Sequence, residues 1–388
     1  MLNLAATPPL SLYIHIPWCV RKCPYCDFNS HEAREGIPED AYITALIADL
    51  EQDLPYIWGR TIETVFIGGG TPSLFSPEGI DHLLGDVRAR LQLKPDAEIT
   101  LEANPGTVDQ ARFNGFRDAG INRLSIGVQS FQPELLQNIG RIHTDNEAVI
   151  AVEAAHHAGF DNINLDLMFG LPGQSTKQAL KDLRTATALA PSHISWYELT
   201  IEPNTWFHRH PPERAADDAL WDIQQAGHTL LGSMGFERYE TSAYARNSQQ
   251  CRHNLNYWQF GDYLGIGAGA HGKISDAAIQ EITRVSKAKH PRTYLETAHS
   301  TQRISTTSRL SVDDVVMEFA MNALRLDHGF SHATFTAATG LPYAVIEAIV
   351  NNGVVDGMLS IDNDTIRATP WGQRYLNELL QHWMPENA

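Results

Sequence analysis

The sequence predicts an α/β fold: six strand–helix units building a parallel sheet, followed by a smaller mixed domain. Three observations carry this expectation. From residue 10 to about 200, short β-rich runs alternate with helical stretches. After about residue 235 the alternation gives way to aromatic and Gly-rich segments such as "YLGIGAGAHG". From about residue 312 the texture changes again, to short helices and one two-stranded wing.

The expected strands are "LSLYIHIP" (10–17), "IETVFIGG" (62–69), "EITLEAN" (98–104), "RLSIGVQS" (123–130), "NINLDLMF" (162–169) and "HISWYELT" (193–200). Each is rich in β-branched or aromatic residues and bounded by Gly, Pro or Asn. Helical patterns lie between them. The run 38–54 opens on Pro with acids in its first turn, and 175–189 opens on Ser as an N-cap. Repeated βα units imply parallel pairing through right-handed crossovers. A closed barrel takes eight units, so six suit an open barrel or a doubly wound sheet. A long helix follows at about 213–234, and helical runs at 312–326 and 342–352 precede "GVVDGMLSIDNDTIRAT" (353–369), which reads as the wing. The expected divisions are a 1–235 core, a 236–305 extension and a 306–388 winged-helix-like α+β domain.

Composition narrows the class. With 388 residues the chain can bury a large core in two domains. A net charge of −17 argues against nucleic acid as a partner, even for the wing. No apolar run approaches the roughly 20 residues of a membrane span. The start "MLNLAATPPL" lacks a basic end and a long apolar stretch, so no secretory leader is expected. Three of the four cysteines crowd into residues 19–26, which suggests a reducing compartment and a metal or cluster site. The expected location is cytoplasmic, with peripheral attachment to the inner membrane face left open.

In parallel βα folds the chemistry collects at the carboxyl ends of the strands. The cysteine loop follows the first strand and "GGGTP" (68–72) the second. Glu102, Gln129 and Glu198 fall near the ends of the third, fourth and sixth strands, and Asp166 within the fifth. Together they are expected to ring one mouth. The spacing of Cys19, Cys23 and Cys26 lets three thiolates on one loop hold three irons of a cubane cluster. The fourth iron would stay open to an outside ligand. A zinc site is the alternative, but it would need His15 or His31 at unusual spacing.

"YIHIPWCVRKCPYCDF" (13–28), with Tyr25 between the second and third cysteines, resembles the signature of the radical S-adenosylmethionine (SAM) superfamily. The resemblance implies a partial (β/α)6 barrel, a 4Fe–4S cluster on the three cysteines, and SAM bound to the open iron. "GGGTPS", "EANP", "GVQSF", "GRIH" and "NLDLMFGLP" narrow it to the branch holding the anaerobic coproporphyrinogen III oxidases and the HemW heme chaperones. That implies a SAM pocket of Tyr13, Gly69, Gly70, Thr71, Glu102, Gln129, Arg141 and Asp166, with His143 structural. A Gly run lets backbone approach a zwitterion closely.

Two departures separate the chain from the oxidases. Phe28 stands where they carry a further cysteine, and strand one starts too early for their N-terminal extension. "HNLNYW" (253–258) resembles the His-Asn-x-x-Tyr-Trp motif of the chaperone branch. His253 or Cys251 is then the expected heme ligand, since imidazole and thiolate both bind heme iron. Tyr257 and Trp258 would cover a porphyrin face. The implied function is heme binding and transfer to acceptors such as respiratory enzymes. An electron donor would serve the cluster, and a homodimer is left open. The alternatives are porphyrinogen decarboxylation and radical chemistry on another tetrapyrrole.

Overall fold

The computed structural model describes residues 2–384. Six strands lie side by side in chain order, each parallel to the next: β1 (Leu10–Ile16), β2 (Thr61–Gly69), β3 (Gln92–Ala103), β4 (Arg123–Gln129), β5 (Ile163–Phe169) and β6 (His193–Glu198). The helices between them are α1 (Glu39–Asp53), α2 (Pro77–Arg90), α3 (Gln110–Asp118), α4 (Asp145–His157) and α5 (Thr176–Ala188), with α6 (Asp217–Ser233) after β6. Sequential order with right-handed crossovers puts every helix on one face. The fold is therefore the expected partial (β/α)6 barrel.

Alternation along each strand divides the residues. Leu12, Ile14, Val65, Ile67, Leu101, Ile126, Leu165 and Trp196 are buried in the large apolar core. The opposite face is polar. Ser11 accepts from Thr64, Ser125 donates to Asp166, and Ser195 donates to Asn164. Hydrogen bonding between neighbouring strands pairs many of the polar groups on that inner face, though Thr100 Oγ1 is left without a partner among the described residues.

The sheet extends further than expected. β7 (Glu237–Glu240) and β8 (Ala243–Ala245) add antiparallel beyond β6. On the other side β9 (Asp262–Ile266) runs parallel to β1, followed by antiparallel β10 (His271–Asp276), β11 (Glu281–Lys287) and β12 (Ile304–Arg309). The Gly-rich "YLGIGAGAHG" is thus a strand and its sharp exit. A Cβ on Gly265 would meet the His271 carbonyl at 1.9 Å, and Gly267 has φ +107°. β3 begins at Gln92, earlier than expected. Pro95 falls where the β2–β3 register shifts, in the stretch that needs no ladder bond.

Between β8 and β9, α7 (Arg252–Trp258) packs under β1 and β2. A second apolar cluster holds α8 (Val312–Ala323), α9 (His332–Thr339), α10 (Glu347–Val355) and the three-stranded sheet β13 (Phe330–Ser331), β15 (Thr365–Ala368), β14 (Leu359–Asp362). The wing is the β14–β15 hairpin, turning through Asn363 at φ +55°. Helix α9 and strand β13 were not expected. "SHATFTAAT" is short and β-branched, and becomes helical from the Ser331 cap and packing of Phe335.

One buried ionic knot ties the sheet extension to the barrel. Asp49 and Asp53 of α1 meet Lys287 of β11 and Arg303. Lys287 Nζ lies 2.5 Å from both carboxylates, Arg303 Nε 2.8 Å from Asp49, and Arg303 Nη2 2.5 Å from Asp53. Tyr294 OH also donates to Asp49 at 2.7 Å. Two acids against two bases leave no net buried charge, whereas removing one strands the rest. We expect Asp49→Ala to cost about 3–5 kcal/mol, read as a denaturant midpoint shift in cluster-free protein. A loss below about 1 kcal/mol would mean that the knot contributes little.

Candidate active site at the barrel mouth

The loop after β1 carries the three cysteines and is pinned at both ends. Trp18–Cys19 pairs with His31–Glu32, and the Ala33 N–H donates to the Cys19 carbonyl at 2.9 Å. Lys22 Nζ crosses the loop to the carbonyls of Phe28 and Ser30 at 3.0 and 3.3 Å. The three thiols are free and half-buried. They face one cavity of about 300 Å³ whose lining also holds Gly69, Gly70, Thr71, Glu102, Gln129, Arg141 and Asp166. The structure thus brings together the three sulfurs and all but one of the residues expected around SAM. Tyr13 is the exception. It lines the adjoining cavity with Gly69 and Glu102, and its OH lies 3.0 Å from His15 Nδ1.

Among the described residues no three His, Cys, Asp or Glu side chains converge as ligands of a single metal ion would. A cubane asks for something else, because each thiolate binds its own iron. Burial raises the pKa of Cys19 and Cys26. Iron binding would offset that cost by stabilising the thiolates.

The glycines of "GGGTP" serve a contact that the sequence did not indicate. A Cβ on Gly70 would lie 2.5 Å from the Trp18 carbonyl, and one on Gly69, at φ +114°, 2.5 Å from the His15 ring. The run is bare because the cysteine loop lies directly on it. The Gly70 and Thr71 N–H groups are spent on the carbonyls of Ile16 and Trp18. The ligand-facing backbone expected there is largely committed to holding the loop.

Glu102 and Asp166 face each other on the inner wall. Glu102 accepts from the Gly69 N–H at 3.0 Å, and burial, then the Asp166 charge, push its pKa up to about 7. Asp166 accepts from Ser125 and Asn164 at 2.9 and 2.8 Å, yet burial still raises its pKa. Across the cavity, Arg141 donates to Asn104 Oδ1 at 2.7 Å, to the Gly127 carbonyl, and towards Cys23 Sγ at 3.6 Å. Burial opposes its charge, but Tyr25 and Cys23 hold it cationic. The mouth therefore has a cationic side by the cysteines and an acidic wall opposite. That polarity suits a zwitterion carrying a further positive centre.

Several contributors went unpredicted. Asn104 bridges Thr71 Oγ1 and Arg141, and Tyr197 OH donates to Gln129 at 2.8 Å. Gln129 itself has φ +70° at a register shift. Glu198 does not join the mouth. It shares the face of Ile194 and Trp196 and pairs with Arg214 at 2.8 Å. Counting by twos from Trp196 would have assigned it outward and Ser195 and Tyr197 inward. His143 Nε2 lies 3.0 Å from the Val128 carbonyl, a contact that fits the structural role expected of it.

The segment expected to hold heme forms the barrel floor. Cys251 is fully buried and His253 nearly so. Glu98 receives the N–H groups of Arg252 and His253 at 3.1 and 3.0 Å, capping the first turn of α7, and Cys251 Sγ lies 3.7 Å from it. His253 Nδ1 lies 2.8 Å from Thr64 Oγ1. Burial drives the Cys251 thiol up to about 12 and the His253 imidazole down to about 3. Tyr257 stacks on Tyr263 at 4.1 Å, and the Arg325 guanidinium lies 4.4 Å over Trp258. Both rings thus already carry a neighbour. Among the described residues His253 Nε2 has no hydrogen-bond partner.

Comparison with known proteins agrees with this geometry. Residues 13–186 match the Radical SAM superfamily model and 310–375 the HemN C-terminal domain. The chain is 50% identical over 379 residues to heme chaperone HemW of Escherichia coli K12, covering 98% of this chain and 99% of that protein. It is 49% identical over 383 residues to HemW of Haemophilus influenzae, at 98% and 99% coverage. Among solved structures, coproporphyrinogen III oxidase HemN from Escherichia coli, a radical SAM enzyme, superposes with TM-score 0.82 at 23% identity, over 97% of this chain and 90% of that one.

Glu102 gives the site a pH signature. Its free-state pKa of about 7 must fall when a cation docks beside it, so binding below pH 7 has to expel a proton. SAM should bind about tenfold more weakly at pH 6 than at pH 8, by anaerobic calorimetry. Glu102→Gln should bind more weakly at pH 8 and flatten that dependence. An unchanged slope in the variant would remove Glu102 from the ligand's surroundings.

Proposed function

The chain belongs to the HemW family of the radical SAM superfamily, and from this we propose that it is itself a heme chaperone, binding heme and passing it to heme-requiring acceptors such as respiratory enzymes. The near full-length match at 50% identity carries the reading. Phe28 supports it against the oxidase alternative, because the position of a further cysteine is filled by an exposed aromatic at the cavity rim. No helix of the described residues is long and apolar enough to cross a membrane.

Cys19, Cys23 and Cys26 would hold a 4Fe–4S cluster, which supplies one-electron chemistry and one iron open to a non-protein ligand. Arg141, beside the Cys23 sulfur, would then meet the ligand's anionic end. Glu102 and Asp166 would meet its cationic end, and Gly69, Gly70, Thr71 and Gln129 would bound the space between. Heme ligation by His253 or Cys251 would require α7 to leave the floor and give up the Glu98 cap. The unpartnered, neutral His253 Nε2 is the feature that favours it.

Replacing any one of Cys19, Cys23 and Cys26 by Ala should abolish cluster absorbance after anaerobic reconstitution, while Cys251→Ala should retain it. Equal loss in Cys251→Ala would mean a fourth protein ligand. The function itself is tested by mixing heme-loaded protein with an apo heme enzyme and following the acceptor's recovered activity. We expect transfer, and no anaerobic turnover of coproporphyrinogen III. Robust SAM-dependent formation of protoporphyrinogen IX would replace the chaperone reading with the oxidase one.

A further inference from the structure

Arg123 of β4 is a buried cation that the site described above does not use. It is 2% exposed, as deeply buried as Lys273, Lys287 and Arg303. Those three pair directly with carboxylates, Lys273 with Asp262, and Lys287 and Arg303 with Asp49 and Asp53. Among the described residues Arg123 has no such pair, and its Nε has no hydrogen-bond partner. A buried charge without a partner is costly, so packing alone does not account for it.

Strand register gives its place. Arg123 pairs with Thr100 of β3. Thr100 stands between Glu98 and Glu102, and residues two apart on a strand share a face. Ser125, two residues along β4, donates to Asp166. Arg123 therefore occupies the layer of the barrel interior between the acid of the floor and the two acids of the mouth. These acids differ in their support. Glu98 accepts two N–H groups of α7, and Asp166 accepts from Ser125 and Asn164. Among the described residues Glu102 accepts only the Gly69 N–H, so it depends most on a cation nearby. The Arg123 charge draws both mouth acids towards the carboxylate, against the desolvation that opposes it.

We propose that Arg123 is a positioning residue for the ligand of the mouth: from the layer below, it keeps the wall of Glu102 and Asp166 negative so that the wall can receive the ligand's cationic end. The assignment rests on the SAM reading of the mouth and deepens it by naming what holds the wall charged. Arg123 is itself a cation beneath a cationic group, so its benefit is confined to the pH range in which Glu102 would otherwise be protonated. The other groups around Glu102 and Arg123 hold their charge state there. Burial keeps Tyr13 of β1, Tyr197 of β6 and Tyr239 of β7 as neutral phenols. It likewise keeps His15, His193 and His253 as neutral imidazoles and Cys251 as a neutral thiol. Arg141 stays cationic across the cavity. Removing the Arg123 charge raises the free-state pKa of Glu102, so ligand binding is lost at a higher pH as the pH falls.

The test is anaerobic calorimetry of SAM with reconstituted protein between pH 6 and pH 9. Arg123→Met should bind roughly fivefold more weakly than wild type at pH 7 and no more weakly at pH 9, its midpoint moving up by about one pH unit. Arg123→Lys should keep the midpoint near the wild-type one. Glu102→Gln/Arg123→Met should follow the profile of Glu102→Gln alone, and cluster absorbance should be retained throughout. A loss in Arg123→Met that is equal at every pH, or a midpoint that does not move, overturns the proposal. So does failure of both Arg123→Met and Arg123→Gln to fold while Arg123→Lys folds, since that assigns the charge to the fold. If wild type binds SAM and only the Arg123 arm fails, the SAM reading stands. If wild type binds no SAM at any pH, that reading falls and the proposal with it.

Discussion

The Glu98 carboxylate closes the barrel. A six-stranded partial barrel has a polar inner face and an open lower end, and water entering there would screen every charge at the mouth. Glu98 prevents this by capping α7 from inside, accepting the N–H groups of Arg252 and His253. A carboxylate at a helix N-terminus meets both unpaired donors and the positive end of the helix dipole. Thr64 on His253 and Ser11 on Asn256 complete the seal. The same contacts make Cys251 and His253 inaccessible, so sealing the barrel competes with binding anything at its floor.

With the floor closed, the upper interior becomes a place where charges act strongly on one another. Glu102 and Asp166 are both half-buried at the cavity wall; desolvation raises the pKa of each, and the Asp166 charge adds to the rise at Glu102. Arg141 is held across the cavity by Asn104 and Gly127 rather than by either acid. The acids therefore have no ion-pair partner in contact, and the buried Arg123 only offsets part of the cost of their charge. A folded chain normally neutralises such groups, as Asp49 and Asp53 are neutralised by Lys287 and Arg303. The contrast within one molecule separates charge that stabilises the fold from charge held for a ligand.

The six strands were legible because each is an uninterrupted β-branched or aromatic run between Gly, Pro and Asn, and local pattern suffices for those. The wing was legible for the same reason. Strand β9 was not, because pairing it parallel to β1 depends on contacts some 250 residues apart, such as Leu10 with Asp262. At the mouth, the cysteines, Glu102, Gln129, Arg141 and Asp166 could be placed from strand ends and motif. Glu198 could not be placed without fixing the phase of its strand on Trp196. The role of Gly70 was hidden too, since a close backbone approach leaves no mark that distinguishes a ligand from another loop. His253 reads in sequence as a ligand, and only the fold reveals Glu98 and Thr64 around it.

The lining residues also say how the two upper cavities are related. Gly69, Glu102 and Phe28 line both, so the two cavities share a wall. Glu102 is the shared wall's one titratable group, and its pKa of about 7 leaves it near balance between charged and neutral forms at neutral pH. A cation arriving in either cavity would draw it to the carboxylate, and that charge is felt in the other. Occupancy on one side thereby biases occupancy on the other without any movement of the chain. By linkage the bias is mutual. A titratable group at such a boundary couples whatever the two cavities hold, while Asn29 and the glycine run keep the loops fixed.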